Sequence, residues 1–183
     1  HLCDRRQRQM CIRDRSHLPL IDLDPVKNAE QTYGFYKTYD VDILKTMNNG
    51  MYSVEDFGAV ADYSEIAGGG AAKIVSTPVH RPKDWLDLEP VSVNAGALAR
   101  EQEYLRLLLD KTRGTVPVIF TVFSPLTTAY KLCPDLMRHV AEGFGEEVKA
   151  GLRAITESTC ALVQQVIEMG AVSYTHLTLP TIA

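Results

Sequence analysis

Val116-Pro-Val-Ile-Phe-Thr-Val-Phe123 decides the fold class. β-branched and aromatic residues dominate it and no charge interrupts it, so it reads as a strand that is apolar on both faces. Such a strand must be covered on both faces, which calls for a parallel sheet wrapped by helices. Upstream, Ala95–Lys111 carries Leu98, Leu105, Leu108 and Leu109 opposite Arg100, Glu103, Arg106 and Asp110, the stripe of an amphipathic helix. Downstream, Pro125 opens a short helix that ends before Pro134, and Asp135–Glu142 and Glu146–Met169 read as helices. In the last of these Val148, Leu152, Ile155, Leu162 and Val166 keep one face buried, and Gly170 stops it.

Towards the N-terminus, His17–Ile21 reads as the end of a strand. Asp24-Pro25 then caps and opens a helix running to about Tyr36, with Val26, Ala29, Tyr33 and Tyr36 on one face. Asp42–Met47 is a strand, closed by the turn signal Asn48-Asn49-Gly50. Residues 51–94 are irregular, with a short strand at Lys73–Ser76. Strands alternating with helices predict an α/β fold with a parallel sheet, and pattern alone does not separate a closed barrel from an open doubly wound sheet.

The chain has 183 residues, of which 45% are hydrophobic and 23% charged, an ordinary globular composition. No apolar run reaches the roughly 20 residues that a membrane helix needs. A net charge of −4 gives no electrostatic reason to expect nucleic acid as a partner.

The two ends read as foreign to the rest. Arg5–Asp14 and Val172–Thr181 can be encoded by DNA segments that are reverse complements, codon for codon: ATG-TGT-ATA-AGA-GAC gives Met10–Asp14, and its complement GTC-TCT-TAT-ACA-CAT gives Val172–His176. Inverted DNA at both ends of an insert is what a sequencing-library adapter leaves, so residues 1–15 and 172–183 are set aside and 16–171 is expected to be a fragment of a natural protein. Setting them aside removes five arginines and only two aspartates, which makes the remainder more acidic. Cys133 and Cys160 are the cysteines left. They are expected to be buried thiols, and without a secretion signal they point to a reducing, cytoplasmic setting.

Ligands of parallel α/β folds bind at the carboxyl ends of the strands. That places Asn48, Asn49 and Tyr52 beside a substrate, although Asn and Gly also make plain turns. Ser124 stands at the same kind of junction, where capping the following helix is the better explanation. Gly68–Gly70 lacks the lysine and hydroxyl of a phosphate loop and reads as a flexible loop. His17, His80, His139 and the two cysteines show no metal-binding spacing, so no metal is expected in this chain. Trp85 reads as an anchor for the long insertion. Asp40, Asp42, Glu55, Asp56, Asp62 and Glu65 supply carboxylates near the second strand's end.

Val41-Asp-Ile-Leu-Lys-Thr-Met-Asn-Asn-Gly-Met-Tyr-Ser-Val-Glu-Asp-Phe-Gly58, Thr77-Pro-Val-His-Arg-Pro-Lys-Asp-Trp-Leu86 and Val118-Ile-Phe-Thr-Val-Phe-Ser-Pro-Leu-Thr127 together resemble the uroporphyrinogen decarboxylase superfamily. It holds decarboxylases of tetrapyrrole biosynthesis and zinc-dependent methyltransferases that work with corrinoid proteins. The resemblance spans nearly all of residues 17–171 and implies an incomplete (β/α)8 TIM-type barrel, with parallel strands and outer helices, corresponding to the family's first half. In the decarboxylases a Ser-Asp pair ends the second strand, and the matching positions are Asn48 and Asn49. Ser124-Pro-Leu-Thr127 matches an Ala-Pro-Trp-Thr motif, and the tyrosine that follows it there falls on Lys131, with Tyr130 one residue early. The early arginine pair has no counterpart in residues 16–171.

The resemblance thus implies Asn48 and Asn49 as catalytic positions. His17, Tyr52, Ser124, Thr127 and Tyr130 are implied as substrate-binding positions. The expected substrate is a small molecule or a tetrapyrrole, with no nucleic acid or membrane partner. The methyltransferase branch binds zinc through a His-x-Cys motif and a further cysteine in the later half of the barrel. Zinc and a corrinoid protein are therefore expectations for a full-length protein only. The missing charge at Asn49 favours methyl transfer; tetrapyrrole decarboxylation and a non-catalytic binding module are the alternatives. By itself the chain is expected to be inactive, with strand edges unpaired.

Overall fold

The computed structural model describes residues 18–39, 41–66, 72–171 and 173–177. Two short helices, α1 (Pro19–Asp22) and α2 (Pro25–Tyr39), precede β1 (Leu44–Lys45) and α3 (Tyr52–Glu55). The insertion holds β2 (Val60–Asp62), β3 (Lys73–Ser76) and a 3-10 helix over Pro82–Asp87. There follow α4 (Gly96–Thr112), β4 (Val118–Phe123), α5 (Pro125–Leu132), α6 (Leu136–Ala141), α7 (Gly145–Glu168) and β5 (Ser173–Leu177).

β4 is the middle of a three-stranded sheet, order β1-β4-β5, parallel on both sides. Its burial follows from that position, for Val118, Phe120 and Val122 are all but inaccessible. One core forms where α2, α4 and α7 cover the sheet, around Leu44, Tyr104, Leu105, Leu108, Phe120 and Leu162. A second gathers Val54, Trp85, Leu132, Leu136 and Ile155, where the insertion meets α5, α6 and α7.

β1 is shorter than Asp42–Met47 because side chains replace a neighbouring strand beyond its second residue. Leu44 N–H donates to Pro117 and Thr46 N–H to Ile119, at 2.9 Å each. Past that point Met47 N–H donates to the Tyr104 hydroxyl at 3.0 Å, and its carbonyl accepts from Asn28 Nδ2 at 2.9 Å. The buried face of α2 is therefore Asn28, Ala29 and Thr32, with Val26 turned to solvent at 51% exposure. Asp24 caps this helix, its Oδ1 accepting from Val26 and Lys27 N–H at 3.1 Å each.

The N-terminal strand expected at His17–Ile21 is instead a helical turn, Pro19–Asp22, since Pro19 opens a first turn and the Asp22 carboxylate accepts from Leu18 N–H at 3.2 Å. His17 and Gly68–Gly70 lie outside the described residues. Lys73–Ser76 is a strand, paired antiparallel to Val60–Asp62 in a separate two-stranded sheet. Trp85 does anchor the insertion: it is fully buried and its Nε1 donates to His139 Nδ1 at 3.1 Å. α7 has glycine there because a Cβ at Gly151 would stand 2.5 Å from the indole. Cys133 is buried, but Cys160 is exposed, lying off the α7 stripe of Ile155, Ser158 and Leu162. β5 uses residues set aside as foreign. Strand pairing joins backbone to backbone, so a β-prone segment can extend an open edge whatever its origin.

Candidate functional site

Parallel pairing of Leu44 with Val118 and Lys45 with Ile119 brings the carboxyl ends of β1 and β4 side by side. Asn48-Asn49 and Ser124 therefore meet at one end of the sheet, the place where α/β enzymes hold ligands. Lys131 Nζ crosses between them, donating to the Gly50 carbonyl at 2.6 Å from its place on α5.

The two asparagines take different partners because successive side chains of an extended chain face opposite ways. Asn48 points towards α4. Its Nδ2 donates to Glu101 Oε2 at 2.9 Å, and its Oδ1 accepts from the Thr46 hydroxyl at 2.5 Å. Asn49 turns to the insertion, its Oδ1 accepting from Met51 N–H at 2.8 Å and lying 3.3 Å from the Tyr63 hydroxyl. Each is 4% exposed. Asn48 is thus held against α4, and Asn49 is the one of the pair that faces the insertion.

Behind them runs a chain of charges. Arg100 reaches Glu101 Oε1 at 3.2 Å and both oxygens of Glu55 at 2.9 and 3.3 Å. Tyr63 hydroxyl donates to Glu55 at 3.0 Å, which closes the chain at Asn49. Glu101 is 1% exposed, and burial pushes its carboxyl up to about 8 against the pull of Arg100 and Asn48. Burial and the neighbouring Glu55 carboxylate push the Tyr63 phenol up to about 12. α4 begins here through a distant cap. Ala95 has no side chain to offer, so Asp56 accepts from Ala97 and Leu98 N–H at 2.8 Å each. A Cβ at Gly96, where φ is +62°, would lie 2.0 Å from that carboxylate.

Ser124 caps α5, accepting from Thr127 N–H at 3.0 Å, and the two hydroxyls share a 2.8 Å hydrogen bond. Thr127 is buried with it. Tyr52 belongs to the core: its ring packs against Phe120 and Phe123, and its hydroxyl donates to the Thr121 carbonyl at 2.9 Å. Tyr130 lies at the surface. The expected positions that converge are Asn48, Asn49, Ser124 and Thr127. Glu101, Arg100 and Tyr63 were not expected. A signal for Glu101 existed, because it interrupts the apolar stripe of Leu98, Leu105 and Leu108. Among the described residues no three His, Cys, Asp or Glu side chains come together as metal ligands. A groove of about 540 Å³ lies along α4 and is lined by Val93, Gln102, Arg106 and Met169; no strand-end residue borders it.

The family model described as Uroporphyrinogen decarboxylase (URO-D) matches residues 7–176. No curated protein sequence matches the chain. Among solved structures, a methyltransferase from Methanosarcina mazei superposes with a TM-score of 0.71 at 16% identity. The superposition covers 85% of this chain and 46% of that one, so this chain spans less than half of that structure's length. The likeness makes the three parallel strands and their outer helices an incomplete TIM-type barrel.

Proposed function

The chain belongs to the uroporphyrinogen decarboxylase family, and from that premise we propose that it is the N-terminal part of a barrel enzyme of the methyl-transfer branch. Asn49 carries this reading. It stands where the decarboxylases of the resemblance hold an aspartate, and an amide is uncharged whichever way it is turned. A carboxylate about 4 Å from a protonated pyrrole contributes about 4 kcal/mol at an effective dielectric near 20, roughly a thousandfold in rate. An asparagine forgoes that charge and keeps only hydrogen bonding, which suits a neutral or anionic small donor. The structural likeness to a methyltransferase supports the same branch.

In this reading Asn49 and the Tyr63 hydroxyl orient the donor, and Asn48, Glu101 and Arg100 hold the strand end rigid beneath it. Zinc would supply the activation of a thiol or corrinoid acceptor in the branch, but the described residues do not form a ligand set, so no step is assigned to a metal here. Tyr52, which is buried in the core, and Tyr130, which lies at the surface, have no direct role in this reading; His17 lies outside the described residues. The free thiols at Cys133 and Cys160 support a cytoplasmic setting. Full-length protein given uroporphyrinogen should release no carbon dioxide; release would establish tetrapyrrole decarboxylation, the reading that the family model's description favours. A downstream His-x-Cys and further Cys in the recovered gene would support methyl transfer, and their absence would count against it.

A further inference from the structure

Among the described residues Lys131 is a charge at the strand ends without a counter-charge. Its ammonium is drawn in from solvent, lying 3.9 Å from the centroid of the Phe123 ring and donating to the Gly50 carbonyl at 2.6 Å. Burial alone pulls the amine down to about 8. Among the described residues no carboxylate lies within ion-pair distance of it, while Arg100 on α4 has two. An ammonium has three N–H donors. The carbonyl takes one and the ring face attracts the cation, which leaves donor capacity beside Gly50.

A cation moved out of water costs several kcal/mol unless it is paired. Simple snorkelling would let so long a side chain reach solvent. Lys131 instead folds back over the last residue of β4 and onto the residue after Asn49, which places its charge in the mouth. We propose that Lys131 forms an anion-binding subsite at the carboxyl ends of β1 and β4, taking a carboxylate or phosphate group of the molecule bound there. The subsite rests on the strand-end site of the preceding reading but not on its reaction: carbon dioxide release would retire methyl transfer and leave the subsite standing.

The test uses the whole chain labelled with 13C at lysine Cε, whose resonance follows protonation of the amine. Lys131→Arg identifies the resonance, and Lys131→Met removes the charge while keeping the apolar stem. Inorganic phosphate and acetate are the probes, added at constant ionic strength against potassium chloride. The expected result is a saturable rise of the Lys131 midpoint by about one pH unit, towards the ordinary lysine range. Anion-dependent thermal stabilisation should accompany it and disappear in Lys131→Met. A response to phosphate alone assigns a phosphate-bearing ligand, and a response to acetate alone assigns a carboxylate. An unmoved midpoint with both probes overturns the subsite. So does an equal shift at the exposed Lys83, which would mark general screening.

Discussion

The two flanks of the strand ends handle charge in opposite ways. On the α4 side Arg100 lies between Glu55 and Glu101, and Asp56 accepts from the first free N–H groups of the helix. Every charge there has a partner inside the protein, and Glu101 can shed its own by taking a proton. On the α5 side Lys131 meets a carbonyl and an aromatic ring but, among the described residues, no counter-charge. A closed network specifies geometry, whereas an open one has capacity for something else. On the proposed reading the α4 flank is scaffold, and the Lys131 subsite puts recognition on the α5 flank.

Substitutions on the two flanks should differ in size. Arg100→Met should cost about 3 kcal/mol in chemical denaturation, because it strands carboxylates that are partly or wholly buried. The pH dependence of the same flank follows from Glu101. Its folded-state pKa is raised, so its contribution is fully present below the ordinary carboxylate value of about 4.5 and is lost as pH rises through about 8. Between pH 5 and 7.5 wild type should lose about 3 kcal/mol relative to Glu101→Gln, measured by parallel denaturation curves. Asp56→Ala removes a cap, and about 1 kcal/mol of stability should go with it. Lys131→Met should fall within about 1 kcal/mol of wild type, since burial already disfavours its charge and only the Gly50 carbonyl loses a donor. A large loss at Lys131 together with a small one at Arg100 would reverse the two roles.

What the sequence could show was set by how local each cause is. The charge-free run at β4 and the apolar stripes of α4 and α7 are visible in single windows, as are the caps Asp24 and Ser124 with the prolines that follow them. Trp85, the chain's lone tryptophan, was legible as an anchor. Causes that act across the fold were hidden. β1 ends early because of Tyr104 and Asn28, and α4 starts where Asp56 caps it. β2 alternates without burying a face, so no hydrophobic period marks it. At the site, the junction residues Asn48, Asn49 and Ser124 could be read from strand ends. The opposite orientation of the two asparagines depends on Glu101 and Tyr63, which are distant in sequence. Cys133 is buried just past the end of α5, whereas Cys160 lies on α7 away from its buried stripe, a difference that depends on helix phase.

All of this requires β1 and β4 to run side by side in the same direction. Through-hydrogen-bond NMR couplings in the labelled chain report that pairing bond by bond. Leu44 N–H should couple to the Pro117 carbonyl and Thr46 N–H to the Ile119 carbonyl. Absence of both couplings, or Hα–Hα contacts typical of antiparallel strands between these segments, would separate Asn49 from Ser124 and remove the shared site.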